Sequence, residues 1–529
     1  MIRFLSSLAR LPRPPKLSWP ATASMFLAAM SLMAWPTVAA GQTTETQKLV
    51  AGDGQTDDEF GSAVAIFEDF MVIGAPYADD LGTSSGAAYV FRYNDNSDLW
   101  EEEAKLLASD GNSSHHFGYA VAAFEDLILV GAPDYNGDGF APGGAAYVYR
   151  RDHTGTWQEE ALLRHSNPKH GDKLGKSVAI MDKWALVGVP EDDDLGDNSG
   201  SALLFHDDGN GNWSLDTQLL ASDGGAHHVF GWSVSLFSDP ARETIAAVGA
   251  PGTAVTACYM FRYEQGAWAE EQKLVQSEGF GMAVSLTQNF VLVGAPYRND
   301  HGSAYVYRYI SNHEVWELDQ ELIPSDVATD DECGAAVCMF DDIAFLGSPR
   351  DDDGGSNSGS AYVFRYSGGR KWAEDDKLAA SDAAADYHFG EAVAINDVHV
   401  GVGASDSEVG GSSRGAVYTY DGRVYACSLS CTPETLPSGG TVEVDFRDGT
   451  PMAPVWLGYS LTGLGSFPVP PLGVVLDLDQ PFSIGPPLIT DPLGAATWSL
   501  SIPNVQGIDV WLQAVQVGLV SNYLATDVQ

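Results

Sequence analysis

Residues Phe117 to Arg150 read FGYAVAAFEDLILVGAPDYNGDGFAPGGAAYVYR, and the order of pieces in this stretch decides the fold. Two apolar runs, Tyr119 to Phe124 and Leu127 to Gly131, are separated by Glu125-Asp126. Ala145 to Arg150 then alternates small and aromatic residues, and Trp157 to Leu163 closes the unit. Runs of about four to eight residues divided by Gly, Asp, Asn and Pro turns predict four strands of one antiparallel sheet. A helical period appears nowhere at useful length, so the fold is read as all-β.

The same grammar returns along the chain. An aromatic-glycine step pairs with a Gly-Ala-Pro step at Phe60-Gly61 with Gly74-Ala75-Pro76, Phe117-Gly118 with Gly131-Ala132-Pro133, Phe230-Gly231 with Gly249-Ala250-Pro251, and Phe280-Gly281 with Gly294-Ala295-Pro296. Degenerate copies read Leu174-Gly175 with Gly188-Val189-Pro190, Cys333-Gly334 with Gly347-Ser348-Pro349, and Phe389-Gly390 with Gly403-Ala404-Ser405. A period of roughly 55 residues with several short strands per unit is the mark of a radial repeat, and seven sheets lie within the usual range of about four to eight propeller blades. A closing strand of Trp, acids and Leu follows six units, at Trp100 to Leu107, Trp157 to Leu163, Trp213 to Leu220, Trp268 to Val275, Trp316 to Ile323 and Trp372 to Ala379. The seventh is expected from Thr44 to Val50, which would complete the blade ending near Tyr420 and remove an unpaired sheet edge. The Gly after the aromatic is expected to turn the chain into the innermost strand, and Tyr89, Tyr147, Tyr305 and Tyr362 to fill the space between blades.

At these motifs the chain resembles the FG-GAP repeat family, best known from the β-propellers of integrin α subunits. The resemblance runs from about residue 44 to about residue 425. It implies adhesion or ligand binding rather than catalysis, a secreted or surface location, and calcium in the loops after the Gly-Ala-Pro steps.

Those loops carry the candidate metal ligands. Asp134, Asn136 and Asp138, with Gly139, match the first half of a calcium loop, but Pro142 and Ala145 stand where the later ligands belong. Other loops are acidic without that register: Asp79-Asp80, Asp192-Asp193-Asp194 with Asp197, Asp351-Asp352-Asp353, and Asp406 with Glu408. Asp192, Asp194, Asp351 and Asp353 join the candidate set, against the alternative of solvated turns. The segment from Arg164 to Lys173 replaces the acidic connection seen elsewhere. Arg164, Lys169, His170 and Lys173 are candidates for an anionic glycan or a partner carboxylate, and equally for neutralising nearby Asp loops. His115-His116 and His227-His228 read as exposed loop residues, without the third close ligand of a zinc site. No zinc-protease helix, phosphate-binding glycine loop or nucleophile elbow is found.

Acids outnumber bases 72 to 27 over 529 residues, and the charge of -45 is spread along the repeats. Such a surface argues against nucleic acid as partner. Arg3, Arg10, Arg13 and Lys16 lead into an apolar run around Met25 to Trp35 and then Val38 and Ala40, the pattern of a secretory signal over residues 1–40. An uncleaved anchor is the competing reading. Cys333 and Cys338 are about 16 Å apart on an extended strand and too distant to pair, since a disulfide needs α-carbons within about 7 Å. Cys258 and Cys338 read as small buried apolar residues, while Cys427 and Cys431 could bridge at a domain boundary.

The expected organisation is a signal peptide at 1–40, a seven-bladed propeller at 41–426 and a small β-sandwich at 427–529, whose pattern resembles a C-terminal domain of secreted planctomycete-type bacterial proteins. The expected function is a monomeric, non-catalytic binding or adhesion protein for an extracellular protein or glycan, with no membrane span in the mature chain. A polysaccharide-active lyase or hydrolase, or a structural envelope protein, is the alternative.

Overall fold

The structure, a computed structural model, describes residues 44–422 apart from 138–142, 239–243, 254–255, 277, 311–312 and 369; from residue 428 onward it describes strands alone. The expected signal segment, Asp138 and Cys427 therefore lie outside the described residues.

Strand β1 (Glu45–Leu49) belongs to the last blade, whereas β2 (Ala63–Phe67), β3 (Phe70–Ala75), β4 (Ala87–Asn94) and β5 (Leu99–Leu106) form the first blade in simple sequence order. Between residues 45 and 421 this arrangement occurs seven times, always antiparallel and always four-stranded. The seventh sheet is completed by β1, which pairs with Ala416–Asp421 in the register Gln47 to Thr419, Lys48 to Tyr418 and Leu49 to Val417. The N-terminal strand thus closes the ring, as its sequence predicts.

Burial follows the position of each strand. The innermost strands, such as Ala63–Phe67 and Ala120–Phe124, are half-buried and each neighbours the innermost strands of the adjacent blades. The second strands are buried throughout, from Phe70–Ala75 round to His399–Ala404. A strand covered on both faces must be apolar on both, which is why these segments read as continuous apolar runs. The outer strands are mostly exposed or half-buried, as in Leu99–Leu106, and in blades one to six each slips register by one residue, at Val90/Phe91 in the first. Such a bulge raises the local twist of the strand.

Aromatic residues fill the spaces between blades. Tyr89, Tyr147, Tyr259, Tyr362 and Tyr418 are fully buried. The Phe of the aromatic-glycine step meets this Tyr edge-on, with ring centroids 5.4 Å apart for Phe60 and Tyr89 and 5.3 Å for Phe117 and Tyr147. Each buried ring contributes about 1.5–3 kcal/mol, and edge-to-face contact adds roughly 0.5–1.5 kcal/mol. The glycines let the backbones approach: Gly118 has φ +94°, and a Cβ there would lie 2.1 Å from the Ala87 carbonyl oxygen.

Two expectations are corrected. His115 and His228 are buried, not exposed, because the His115 ring packs on Tyr135 at 5.0 Å and its Nε2 lies 3.0 Å from Asn136 Oδ1. Cys338 is half-buried because it lies on an innermost strand, while Cys258 and Cys333 are buried; all three are free thiols. Among the described residues no helix is long and apolar enough to cross a membrane. Beyond residue 428 the strands include Thr441–Arg447, Pro454–Ser460, Ala496–Ser501 and Asp509–Gln516, and they pair antiparallel.

Candidate ligand-binding face

The loops after the Gly-Ala-Pro steps and the connections between blades share one face. In four blades the outer strand sends a lysine amine into that loop region. In the first blade Lys105 Nζ lies 2.7 Å from both Asp53 and Asp80, over the Tyr89 ring at 5.0 Å, and the Tyr89 hydroxyl donates to Asp53 at 2.9 Å. In the fourth, Lys273 lies 2.6 Å from Asp223, to which Tyr259 donates at 2.7 Å. In the sixth, Lys377 reaches Asp326 and Asp351 at 2.9 Å and Asp353 at 2.6 Å, and Tyr362 donates to Asp351 at 2.7 Å. In the seventh, Lys48 contacts Asp382 at 2.8 Å and Ser407 at 2.9 Å, and Tyr418 donates to Asp382 at 2.7 Å. Burial alone would lower the pKa of the Lys377 amine, but the hydrogen bonds it donates to Asp353, Asp326 and Asp351 outweigh this and hold it above its ordinary value.

The other blades reach the same balance by other residues. In the fifth, Glu321 takes the strand position of the lysine, and the cation comes from the loop as Arg298, 3.3 Å from Glu321 and 3.0 Å from the Tyr305 hydroxyl. In the second and third, the strand positions hold Leu162 and Gln218, and the segment from Arg164 to Lys173 supplies the charge. Lys173 binds Asp134, which also meets His116 at 2.9 Å; these hydrogen bonds, that of His116 foremost, hold the Asp134 carboxyl down at about 2. Lys169 lies 2.9 Å from Asp194 and 3.8 Å from Asp192.

These contacts decide how the candidate metal ligands are used. Asp134, Asp192, Asp194, Asp351 and Asp353 each face a lysine, and Asn136 faces His115. Among the described residues no three His, Cys, Asp or Glu side chains converge as a metal set. An ammonium group stands between the candidate carboxylates at Lys169 and Lys377 and against Asp134 at Lys173, so with these lysines in place the candidate ligands do not fit a divalent cation. Of the basic candidates, Lys169 and Lys173 meet acids, Arg164 lines a cleft, and His170 is exposed.

That cleft, about 370 Å³, lies between the second and third blades. Leu162, Leu163, Phe205, Trp213 and Leu215 line it, with Arg164, His165 and Ser166 along the connection. Its cause is local. At this interface the aromatic of the aromatic-glycine step is Leu174, and Leu203 stands at the position of Tyr89 and Tyr147, so the edge-on ring pair is replaced by two leucines. The hydroxyl that Tyr147 donates to Asp110 has no counterpart at Leu203.

Nearer the axis, residues flanking the aromatic-glycine turns form a second polar group. Lys176 Nζ lies 4.2 Å from the Tyr119 ring centroid and 4.7 Å from that of Trp232. Glu59 is pushed up to about 7 by burial and then by the charges of Glu391 and Asp406. His388 Nδ1 lies 2.8 Å from Asp406, which raises its pKa, and Ser405 donates to Glu391. Sequence reasoning missed this group and the strand lysines. Aligning Lys105, Lys273 and Lys377 with Asp53, Asp223 and Asp326 across repeats would have exposed the latter.

Comparison with known proteins agrees with the blade count. The FG-GAP repeat model matches residues 43–91, 100–149, 157–205, 213–260, 268–307, 316–364 and 372–420. Each match begins on or beside the outer strand of one blade and ends in the third strand of the next, so sequence unit and blade are offset by one strand. No curated protein sequence matches the chain. Among solved structures it is similar to Saccharomyces cerevisiae Sqt1, at 8% identity over 77% of this chain and 96% of that one, with a TM-score of 0.42. It is also similar to a putative 6-phosphogluconolactonase from Bacteroides uniformis, at 9% identity, 61% and 86% coverage and a TM-score of 0.43. A chain of the mitotic checkpoint complex gives 10% identity, 79% and 98% coverage and a TM-score of 0.45. With repeat matches over more than half of its length, and one blade for each of them, this chain belongs to the FG-GAP repeat family.

Proposed function

We propose that the chain is a non-catalytic binding or adhesion protein, secreted or held at the cell surface, which uses the loop face of its propeller to hold a protein or glycan partner. The observation that supports this most is the cleft between the second and third blades. At that interface both rings of the Phe and Tyr pair are leucines, and beside this buried pair Trp213 and Leu215 border the cleft. An apolar floor with a part-exposed indole and a nearby guanidinium suits the apolar face of a sugar ring or an aliphatic side chain beside an acidic group. A glycan array probed with the full chain, followed by titration of any hit, tests the reading. Trp213→Ala and Leu215→Ala, which remove side chains from the cleft wall, should each weaken binding by about tenfold or more. Unchanged binding in both variants would remove the cleft from the account.

A second reading, a polysaccharide-active lyase or hydrolase, draws on the axial group. A carboxyl held at about 7 can give or take a proton near neutral pH. Release of reducing or unsaturated ends from a bound polysaccharide, abolished by Glu59→Gln, would favour it over simple binding.

A further inference from the structure

We propose that lysine ammonium groups take the place of calcium in the blade loops of this chain, so that its propeller is assembled and held without a divalent cation. The inference is independent of the cleft. It rests on the recurrence of one arrangement by different routes. Lys105, Lys273, Lys377 and Lys48 reach it from the outer strand, Lys169 and Lys173 from a connection between blades, and Arg298 from the loop with the acid exchanged onto the strand. What is preserved is a positive charge against the acids of the loop region, not any one residue position. That is the outcome expected if charge neutralisation is what each blade requires.

The chemistry explains why a tethered amine suffices. Uncompensated carboxylates packed together repel and are costly to desolvate, and either a divalent cation or a protein cation relieves this. Calcium takes six to eight oxygens at about 2.3–2.6 Å. Around Lys377 three carboxylates stand 2.6–2.9 Å from one nitrogen, only slightly wider than a calcium shell. The side chain of Lys377 is largely buried, so the amine is held in place and calcium could enter only by displacing it. Lys273 differs, because among the described residues only Asp223 lies within ion-pair distance of its amine, and the Gly-Ala-Pro loop of its blade, which continues as Gly252-Thr253, carries no acid.

This difference supplies the test. Thermal melting of the full chain is followed in chelator and in about 5 mM calcium chloride, well above the dissociation constants of extracellular modules. Wild type should melt within about 1 °C of the same temperature in both. Lys377→Ala, which leaves Asp326, Asp351 and Asp353 facing one gap, should melt lower in chelator and recover by about 2–4 °C in calcium. Lys273→Ala should be destabilised without recovery. If Lys377→Ala does not fold, Lys105→Ala, which leaves Asp53 and Asp80, takes its place in the comparison. A wild type raised by several degrees in calcium would overturn the proposal, as would equal calcium responses in the Lys377 and Lys273 variants.

Discussion

Gly118 carries two constraints that can be separated by comparing it with Gly266. Both have positive φ, +94° and +84°, but a Cβ at Gly118 would lie 2.1 Å from the Ala87 carbonyl oxygen whereas one at Gly266 meets nothing within 4 Å. Gly266→Ala should therefore cost only the conformational preference, about 1 kcal/mol, while Gly118→Ala adds a backbone collision between blades and should cost about 3 kcal/mol or more. Chemical denaturation of the two variants against wild type measures this, and equal losses would show that the blades do not meet through these glycines. At the same scale, the aromatic-glycine motif owes its persistence to two neighbours at once: the ring fills the interface and the glycine admits the adjoining strand. Where the ring is lost, at Leu174 and Cys333, the glycines Gly175 and Gly334 keep positive φ, +93° and +86°.

Loops and turns, not strands, set how stability responds to pH. Glu59 has an ordinary value of 4.5 and is pushed up to about 7 in the folded chain by burial, Glu391, Asp406 and Asp57, with His388 opposing. Between those values the folded chain holds a proton that the unfolded chain has released, so this contribution is full below the ordinary value and is lost as pH rises through about 7. His388, raised by its hydrogen bond to Asp406, acts in the same direction: its contribution is present below its ordinary value and fades above its raised one. Asp134 is the reverse, contributing above 3.8 and losing that contribution as pH falls through about 2. The melting temperature of wild type should thus decline from about pH 6 to about pH 8, and Glu59→Gln should flatten the decline; an identical slope in the variant would show that Glu59 is not the group responsible. The strands were legible from residue pattern because each needs only its own local composition and its turns, as at the apolar run Leu127 to Gly131 and the Trp, acids and Leu of Trp157 to Leu163. The loop chemistry was not, since Lys377 meets Asp326 and Asp351 from separate elements and no local spacing records that meeting. Leu203 was equally hidden: its significance appears only beside Leu174, 29 residues away, in the core between the second and third blades.

At the scale of the molecule, closure is the feature on which the rest depends. The last blade is completed only if strand β1 joins it, and Lys48, which neutralises Asp382 and donates to Ser407 there, lies on that strand. Closure was readable because six closing strands for seven units left one to be supplied from Thr44 to Val50. The net charge of -45 is borne by a fold whose internal ion pairs tie acids to lysines and arginines on neighbouring elements, so opening the ring would also expose unneutralised carboxylates. Gln47 and Thr419 are direct partners across the joining pair. Paired positions of an antiparallel ladder have α-carbons about 4.5–5.5 Å apart, within disulfide reach. The most direct measurement is therefore peptide mapping of the oxidised Gln47→Cys/Thr419→Cys chain: closure predicts an intramolecular bond between positions 47 and 419 in the folded monomer, and reduced thiols or bonds only between molecules would contradict it.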